Sequence, residues 1–251
     1  MGTTEAEYQR LTAQARMWEE ASARLLDRAG VARGARCVDV GCGTGETMRL
    51  LADRAGPSGS VVGVDLDPDA GDGEHPVLVA DVEHEATIAG APFDVVFARL
   101  LLLHVADPAA VLRRLWTWVA PGGALVVQDF DLASSKMPPL ESTQEFHRVV
   151  LNTFAAAGTD LRLGRSLPVV HRRAGIGEPD GTDVTGRLVP LATDAEMLEA
   201  IYRSMQPAAI AFDLTTAARS EQWVDALWRD AALAGEEHVL WPLMVGTYKR
   251  R

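Results

Sequence analysis

The stretch Val38-Asp-Val-Gly-Cys-Gly-Thr-Gly-Glu46 decides the fold of this chain. It opens with β-branched residues typical of a buried strand, and Gly41, Gly43 and Gly45 follow at alternate positions. Glycine lacks the Cβ that disfavours positive φ and keeps a ligand away from the backbone. The next segment, 47–55, has the apolar spacing of a helix, and the first amides of a helix have no partner within it. The stretch therefore predicts a strand, a tight turn and a helix, with a ligand lying against the turn.

A second strand-like segment, Ser60–Asp65, ends in a carboxylate. In dinucleotide-binding proteins, an acid about 20 residues beyond the glycines binds the ribose hydroxyls. The glycine spacing here, Gly-x-Gly-x-Gly, is one residue tighter than the dinucleotide pattern. Asp39 and Glu46 also flank the turn with negative charge, which would repel a phosphate group. The pattern favours a cationic nucleoside as the ligand.

The residues Asp39 to Gly45 match the motif Asp/Glu-x-Gly-x-Gly-x-Gly of the class I S-adenosylmethionine (AdoMet) methyltransferases, and the chain resembles that family over roughly 34–131. Phe93–Arg99 and Pro121–Asp129 look like the fourth and fifth strands of the family. Together with residues 100–108, they resemble a small-molecule subgroup with the pattern Ala-Arg-x-x-x-x-His-x-x-x-Pro. The resemblance implies an AdoMet-dependent methyltransferase.

The resemblance also implies roles for individual residues. Asp65 would bind the two ribose hydroxyls, and Asp81 would meet the adenine amine. The full cofactor set expected on this basis is Asp39, Gly41, Cys42, Gly43, Gly45, Asp65, Leu66, Asp81, Val82 and Arg99.

The expected fold is α/β, with a Rossmann-like, seven-stranded, mostly parallel sheet and helices on both faces. One domain is expected, with an N-terminal helix in 1–30, an AdoMet-binding half in 34–135 and a substrate half in 136–251. A helical insertion at about 193–235 is expected to form a cap before the last strand. The segment 67–75 contains a proline and two glycines, so a loop is expected where the family usually has a helix.

Apolar periodicity gives the other expected elements. One helix is expected over Glu5–Ala29, with Gly30 as its C-terminal cap. In the second half we expect helices over 142–157, 167–174, 193–205 and 216–234, and strands over 182–191 and 239–248. Pro242 places the last strand at an edge or beside a bulge.

Composition limits the functional classes. The 251 residues carry a net charge of −11, which disfavours a nucleic-acid partner because phosphate binding depends on Lys and Arg. No signal pattern or membrane span is visible, and two cysteines, Cys37 and Cys42, do not indicate a disulfide framework. We expect a cytoplasmic protein that is a monomer or a homodimer and does not act at a membrane.

Three residues are candidates for the chemistry. His104 follows the fourth strand and Asp129 ends the fifth, at the edge where open α/β sheets bind ligands. His147 lies on the following helix, where it could line an acceptor pocket. A structural role is an open alternative for each of them. Methyl transfer does not require a strong catalytic group, because orientation alone supplies roughly 7–11 kcal/mol and a general base about 10²–10⁴-fold.

No metal is expected. The run Asp65-x-Asp67-x-Asp69 begins like a calcium loop, but Ala70 occupies the required glycine position and Pro76 the position of the bidentate glutamate.

The sequence thus predicts AdoMet-dependent methyl transfer to oxygen or nitrogen of a small, fairly apolar metabolite. Two alternatives stay open. One is a protein that binds AdoMet without transferring its methyl group, since fold does not determine function. The other is a nicotinamide-dependent oxidoreductase, which the glycine spacing and the absence of a Tyr-x-x-x-Lys pair disfavour.

Overall fold

The computed structural model describes residues 5–233 and 236–251. Within these residues, seven strands form one sheet and two short strands pair separately. The strands in chain order are β1 (Arg36–Val40), β2 (Ser60–Asp65), β3 (Val77–Val79), β4 (Phe93–Arg99), β5 (Val119–Asp131), β6 (Gly181–Thr185), β7 (Leu188–Pro190), β8 (His238–Leu240) and β9 (Leu243–Arg250). The main sheet has the order β3-β2-β1-β4-β5-β9-β6.

Most neighbours in the main sheet are parallel. β1 pairs in parallel with β2 and with β4, β2 with β3 and β4 with β5, while β6 and β9 are antiparallel. The helices are α1 (Glu5–Met17), α2 (Glu19–Ala29), α3 (Glu46–Ala55), α4 (Pro108–Thr117), α5 (Glu141–Ala156), α6 (Leu163–Arg173), α7 (Leu191–Ala211) and α8 (Ala217–Leu233). The predicted fold class, a seven-stranded mostly parallel sheet surrounded by helices, is confirmed.

The central strands are covered on both faces, as their unbroken apolar sequences indicate. On one face, Phe97 and Val126 pack in the same cluster as Leu25 of α2 and Met48 of α3. Val38, which points to the opposite face from its neighbour Cys37, is also fully buried. The carboxyl ends of the parallel strands therefore form a rigid edge on which side chains can be placed.

The predicted N-terminal helix is interrupted. Trp18 separates α1 from α2, with φ −110° and ψ 6°, and its amide bonds to the Ala15 carbonyl. The indole is 2% exposed and packs edge-on against Phe130, with ring centroids 5.5 Å apart. The prediction of one helix over Glu5–Ala29 was therefore wrong at this position, because apolar spacing does not reveal a break made by a buried ring. The predicted cap is confirmed, since Gly30 has φ 80°.

Two predicted strands are also divided. The segment 182–191 splits into β6, in the main sheet, and β7, which pairs with β8. The segment 239–248 splits into β8 and β9 around Pro242, which has no amide hydrogen for a sheet ladder. The last strand is not at an edge, because β9 lies between β5 and β6.

Two helices of the second half are longer than expected. α7 continues through Pro207 to Ala211, and α6 begins at Leu163 and contains Pro168. α8 matches the predicted helix up to Leu233, and the last predicted residue, Ala234, lies outside the described residues together with the end of the predicted insertion at 235.

The chain divides into two compact units. The sheet unit contains the described residues up to Phe130, residues 163–185 and residues 244–251. The helical unit contains residues 131–162 and 186–243. In the helical unit the rings of Tyr202 and Trp223 stack with centroids 3.9 Å apart. The division into an AdoMet-binding half and a substrate half stays a prediction. Among the described helices, none has the length and apolar content needed to cross a bilayer.

A buried histidine in the sheet unit makes stability depend on acidity. His171 of α6 is fully buried, its Nε2 lies 3.0 Å from the Thr247 hydroxyl, and burial lowers its pKa to about 4. Because the unfolded value is about 6.5, the unfolded chain binds more protons between these values. His171 should therefore lower the free energy of unfolding by up to about 3 kcal/mol as the pH falls from about 6.5 to 4.

Urea denaturation of the wild type and of His171→Gln at about pH 5 and pH 7 measures this contribution. We expect the free energy of unfolding to fall less between pH 7 and pH 5 in the variant than in the wild type, because the contribution of His171 is removed. An identical pH dependence of both proteins would contradict the assignment.

Candidate functional site

The glycine turn after β1 has the geometry that its sequence predicts. Gly41, Gly43 and Gly45 have φ values of 72°, 50° and 77°. The three glycines differ in what surrounds the position where a Cβ would stand. Such an atom would lie 3.1 Å from Leu101 at Gly41 and 2.7 Å from the Gly71 carbonyl carbon at Gly45. At Gly43 it would meet no atom of residues 5–233 or 236–251 within 4 Å, so this side of the turn is open in that part of the chain.

Asp65, at the end of β2, lies against the open part of the turn. Its Oδ2 accepts the Gly43 amide at 2.9 Å, and its Oδ1 accepts the Asp67 amide at 3.0 Å. A carboxylate oxygen has a second lone pair, so both oxygens keep the capacity to accept a hydroxyl. The next side chain, Leu66, is 66% exposed. An acid beside an open turn, followed by an exposed apolar residue, is suited to bind a nucleoside.

Asp81 lies just beyond β3, next to the end of β2. Val79 of β3 is opposite Asp65, and the Ala80 amide donates to the Asp65 carbonyl. The Asp81 carboxylate accepts the Glu83 amide and contacts Nδ1 of His84, each at 2.8 Å, and these two bonds lower its pKa. It is therefore ionised and partly exposed, beside the buried Val82. Its binding to adenine stays a prediction.

Before the turn, the buried Asp39 of β1 and the half-buried Arg99 of β4 lie near enough to interact electrostatically. Asp39 is opposite Phe97 across β1 and β4, so the side chain of Arg99, two residues further, extends from the same face. Burial raises the pKa of Asp39 to about 7, although Arg99 opposes this rise. Arg99 donates to the Ser22 hydroxyl at 3.1 Å, and Ser22 donates to Gln128 Oε1 at 2.6 Å.

One oxygen of the Asp39 carboxylate accepts no hydrogen bond from the described residues. Asp39 is 2% exposed, and its Oδ2 has no hydrogen bond within the described residues. A buried acceptor without a donor is costly unless a bound group supplies one. The ammonium group of AdoMet is such a donor, so the residues present fit this cofactor. A phosphate would add negative charge to an already anionic site.

The catalytic candidates are distributed over both units. His104 ends a one-turn 3₁₀ helix after β4, and desolvation of its imidazole, together with the Arg10 cation, lowers its pKa. It is therefore neutral near pH 7 and has a lone pair that can accept a proton. His147 belongs to α5 of the helical unit, and its Nε2 lies 3.0 Å from the Ser135 hydroxyl. Burial lowers the pKa of His147 as well.

Asp129 is fully buried in the sheet unit. Its Oδ1 accepts the Phe130 amide at 3.0 Å, and its Oδ2 accepts the Leu103 amide at 3.2 Å. Burial raises its pKa to about 7, against the effect of these bonds. The predicted role of Asp129 as a proton acceptor is not tested, and its contacts are with the backbone.

The loop 67–75 contains contacts that the sequence analysis missed. The Gly71 amide donates to the Gly43 carbonyl at 2.7 Å, which holds the loop against the glycine turn. The Tyr8 hydroxyl of α1 donates to the Asp69 carbonyl at 2.7 Å. The sequence signal for these contacts was Gly71, because glycine permits the positive φ, here 107°, that a tight turn requires.

The acidic run in this loop forms hydrogen bonds to its own backbone. Asp65 and Asp67 accept the amides two residues further along, at 3.0 Å each. In the part of the chain that the structure describes, no group of three or more His, Cys, Asp or Glu side chains is placed to hold a metal ion.

The chain has relatives of known class. A family model described as a methyltransferase domain matches residues 9–163. Trans-aconitate 2-methyltransferase of Methylobacterium radiotolerans is 30% identical over 82% of this chain and 69% of its own length. A ubiquinone biosynthesis O-methyltransferase of Stutzerimonas stutzeri is 36% identical over 36% of this chain and 42% of its own length.

The fold has solved counterparts as well. Phosphoethanolamine N-methyltransferase 2 of Haemonchus contortus, in complex with S-adenosylhomocysteine, is 18% identical with a TM-score of 0.53, over 92% of this chain and 53% of its own. The chain spans between 24% and 60% of the length of other curated relatives that it matches. The family match and the glycine turn agree: the chain belongs to the methyltransferase-domain family, whose cofactor is AdoMet.

Proposed function

We propose that this protein transfers the methyl group of AdoMet to an oxygen or nitrogen atom of a small, fairly apolar metabolite. The observation that carries the proposal is the buried Asp39 oxygen, to which no described residue donates, two residues before a glycine turn that is open at Gly43 and bordered by Asp65. These three features together match a cationic nucleoside. The net charge of −11 supports a small molecule over a nucleic acid as the acceptor.

In this proposal the residues of the sheet unit hold the cofactor. Asp65 accepts the ribose hydroxyls, Asp81 the adenine amine, and Asp39 the ammonium group. AdoMet supplies a methyl group on a positively charged sulfur, which leaves as the neutral thioether when the acceptor lone pair forms the new bond. Exclusion of water and alignment of the acceptor account for most of the rate, since orientation supplies roughly 7–11 kcal/mol.

His104 is proposed to receive the acceptor proton. A neutral imidazole at the carboxyl edge of the sheet is suited to this role, because it can take a proton at pH 7 and release it to solvent. The relatives named for O- and N-methylation support oxygen or nitrogen as the acceptor atom. Residues 136–251, including His147, are proposed to select the acceptor.

The test is product formation. The protein is incubated with methyl-labelled AdoMet and a panel of phenols, amines and carboxylic acids, and S-adenosylhomocysteine and labelled products are measured by mass spectrometry. We expect acceptor-dependent S-adenosylhomocysteine, with the label on oxygen or nitrogen, and a large loss of product in Asp65→Ala. Tight AdoMet binding without product, or a label on carbon, would contradict the proposal and favour a binding protein or a different chemistry.

A further inference from the structure

The turn that follows β4 contains a strained residue. Leu100 has φ 55°, a left-handed conformation that is unfavourable for a residue with a Cβ. Its amide nevertheless donates to the Gln128 carbonyl at 2.8 Å, so the turn is fixed to β5 at this point. Strained residues of this kind persist only where the surrounding structure holds them, and they are frequent at functional sites.

The carboxylate of Asp129 holds the segment Leu100–His104 by accepting a backbone amide. It accepts the Leu103 amide at 3.2 Å, within the one-turn helix Leu102–His104, and the Phe130 amide at 3.0 Å. The side chain is fully buried, so the interaction is not screened by water. A buried carboxylate at this position costs desolvation energy, and an apolar residue would pack without that cost. Its presence is accounted for by the backbone amides that it binds.

The segment Leu100–His104 also packs against the glycine turn. The side chain of Leu101 lies beside Gly41, with its Cδ1 3.1 Å from the position that a Cβ on Gly41 would take. Leu101 therefore packs directly against the first glycine, and His104 follows three residues later at the same edge of the sheet. A shift of the turn would move both residues relative to the backbone that binds the cofactor.

We propose that Asp129 is a positioning residue for the cofactor site: it holds the strained turn Leu100–His104 so that Leu101 packs on Gly41 and His104 stays at the carboxyl edge. This inference rests on the proposed function, since it assumes that AdoMet binds at the glycine turn. It assigns Asp129 a role through the backbone, with no direct contact to the acceptor.

The test combines removal of the carboxylate with relief of the strain. AdoMet affinity is measured by calorimetry for the wild type, Asp129→Ala and two double variants that add Leu100→Gly or Leu100→Ala. Asp129→Ala should weaken AdoMet binding roughly tenfold, because the turn loses its hydrogen bonds. Leu100→Gly should restore most of this loss, since glycine adopts φ 55° without strain. Leu100→Ala truncates the same side chain but keeps the strain, so it should restore little.

A merely structural role for Asp129 would lower the melting temperature without this pattern of rescue. Should Asp129→Ala fail to fold, Asp129→Leu, which also lacks a hydrogen-bond acceptor, provides the same comparison, and hydrogen exchange at the Leu103 amide gives a second readout, with faster exchange expected in the variant. Unchanged AdoMet affinity in a folded Asp129 variant, or equal rescue by Leu100→Gly and Leu100→Ala, would overturn the inference. Either result leaves the proposed function intact if the wild type binds AdoMet, whereas a wild type that binds none would contradict the proposed function itself.

Discussion

Gly43→Ala is expected to weaken AdoMet binding at least tenfold while lowering the free energy of unfolding by only about 1–2 kcal/mol. Within the described residues, the new methyl group would meet no atom within 4 Å, so the protein can accommodate it apart from the strain at φ 50°. In our proposal the cofactor approaches the backbone through the same open space, beside the Asp65 carboxylate that accepts the Gly43 amide. The substitution should therefore reduce AdoMet affinity much more than it reduces stability.

Gly45→Ala is the matched comparison, with the opposite expected result. Here a Cβ would stand 2.7 Å from the Gly71 carbonyl carbon and closer still to the Asp72 amide, at a φ of 77°. Backbone atoms cannot move aside as a flexible side chain can, so we expect a loss of about 3 kcal/mol in the free energy of unfolding. Urea denaturation and calorimetry of both variants test the pair. Equal loss of stability in both, or unchanged AdoMet binding in Gly43→Ala, would contradict the position of the cofactor.

Asp65→Ala is expected to weaken AdoMet binding by tenfold or more. The carboxylate borders the open part of the turn through its bond to Gly43 and accepts the ribose hydroxyls in our proposal. Hydrogen bonds to a charged acceptor are worth roughly 1.5–3 kcal/mol each. Calorimetric titration with AdoMet measures the effect.

Asp53→Ala is the control for this change. Asp53 is an exposed acid on α3, so its removal changes the net charge by the same amount without touching the glycine turn. We expect its AdoMet affinity to stay close to that of the wild type. If both variants lose affinity equally, the effect is one of overall charge, and the specific role of Asp65 is wrong.

The elements around the glycine turn could be predicted because their signals are local. A strand of β-branched residues, a run of alternate glycines and an acid after the next strand describe β1, β2 and the turn between them without reference to the rest of the chain. The absence of a helix in 67–75 was also predictable from its proline and glycines. For these reasons the family, its cofactor and the fold class followed from the sequence.

The parts that could not be predicted depend on tertiary contacts. The break at Trp18 arises where its ring is buried against Phe130, and apolar periodicity is the same with or without it. The left-handed conformation of Leu100 has no sequence signal, because leucine is a poor choice for it. The burial of Asp129 likewise follows from the turn that packs over the end of β5. Each of these depends on residues distant in sequence.

The most direct test of the account is a crystal structure of the protein with AdoMet. It should show the nucleoside against the open side of Gly43, the ribose hydroxyls on Asp65 and the ammonium group as the missing donor to Asp39. An AdoMet molecule bound elsewhere, or a glycine turn that stays empty at saturating AdoMet, would contradict it.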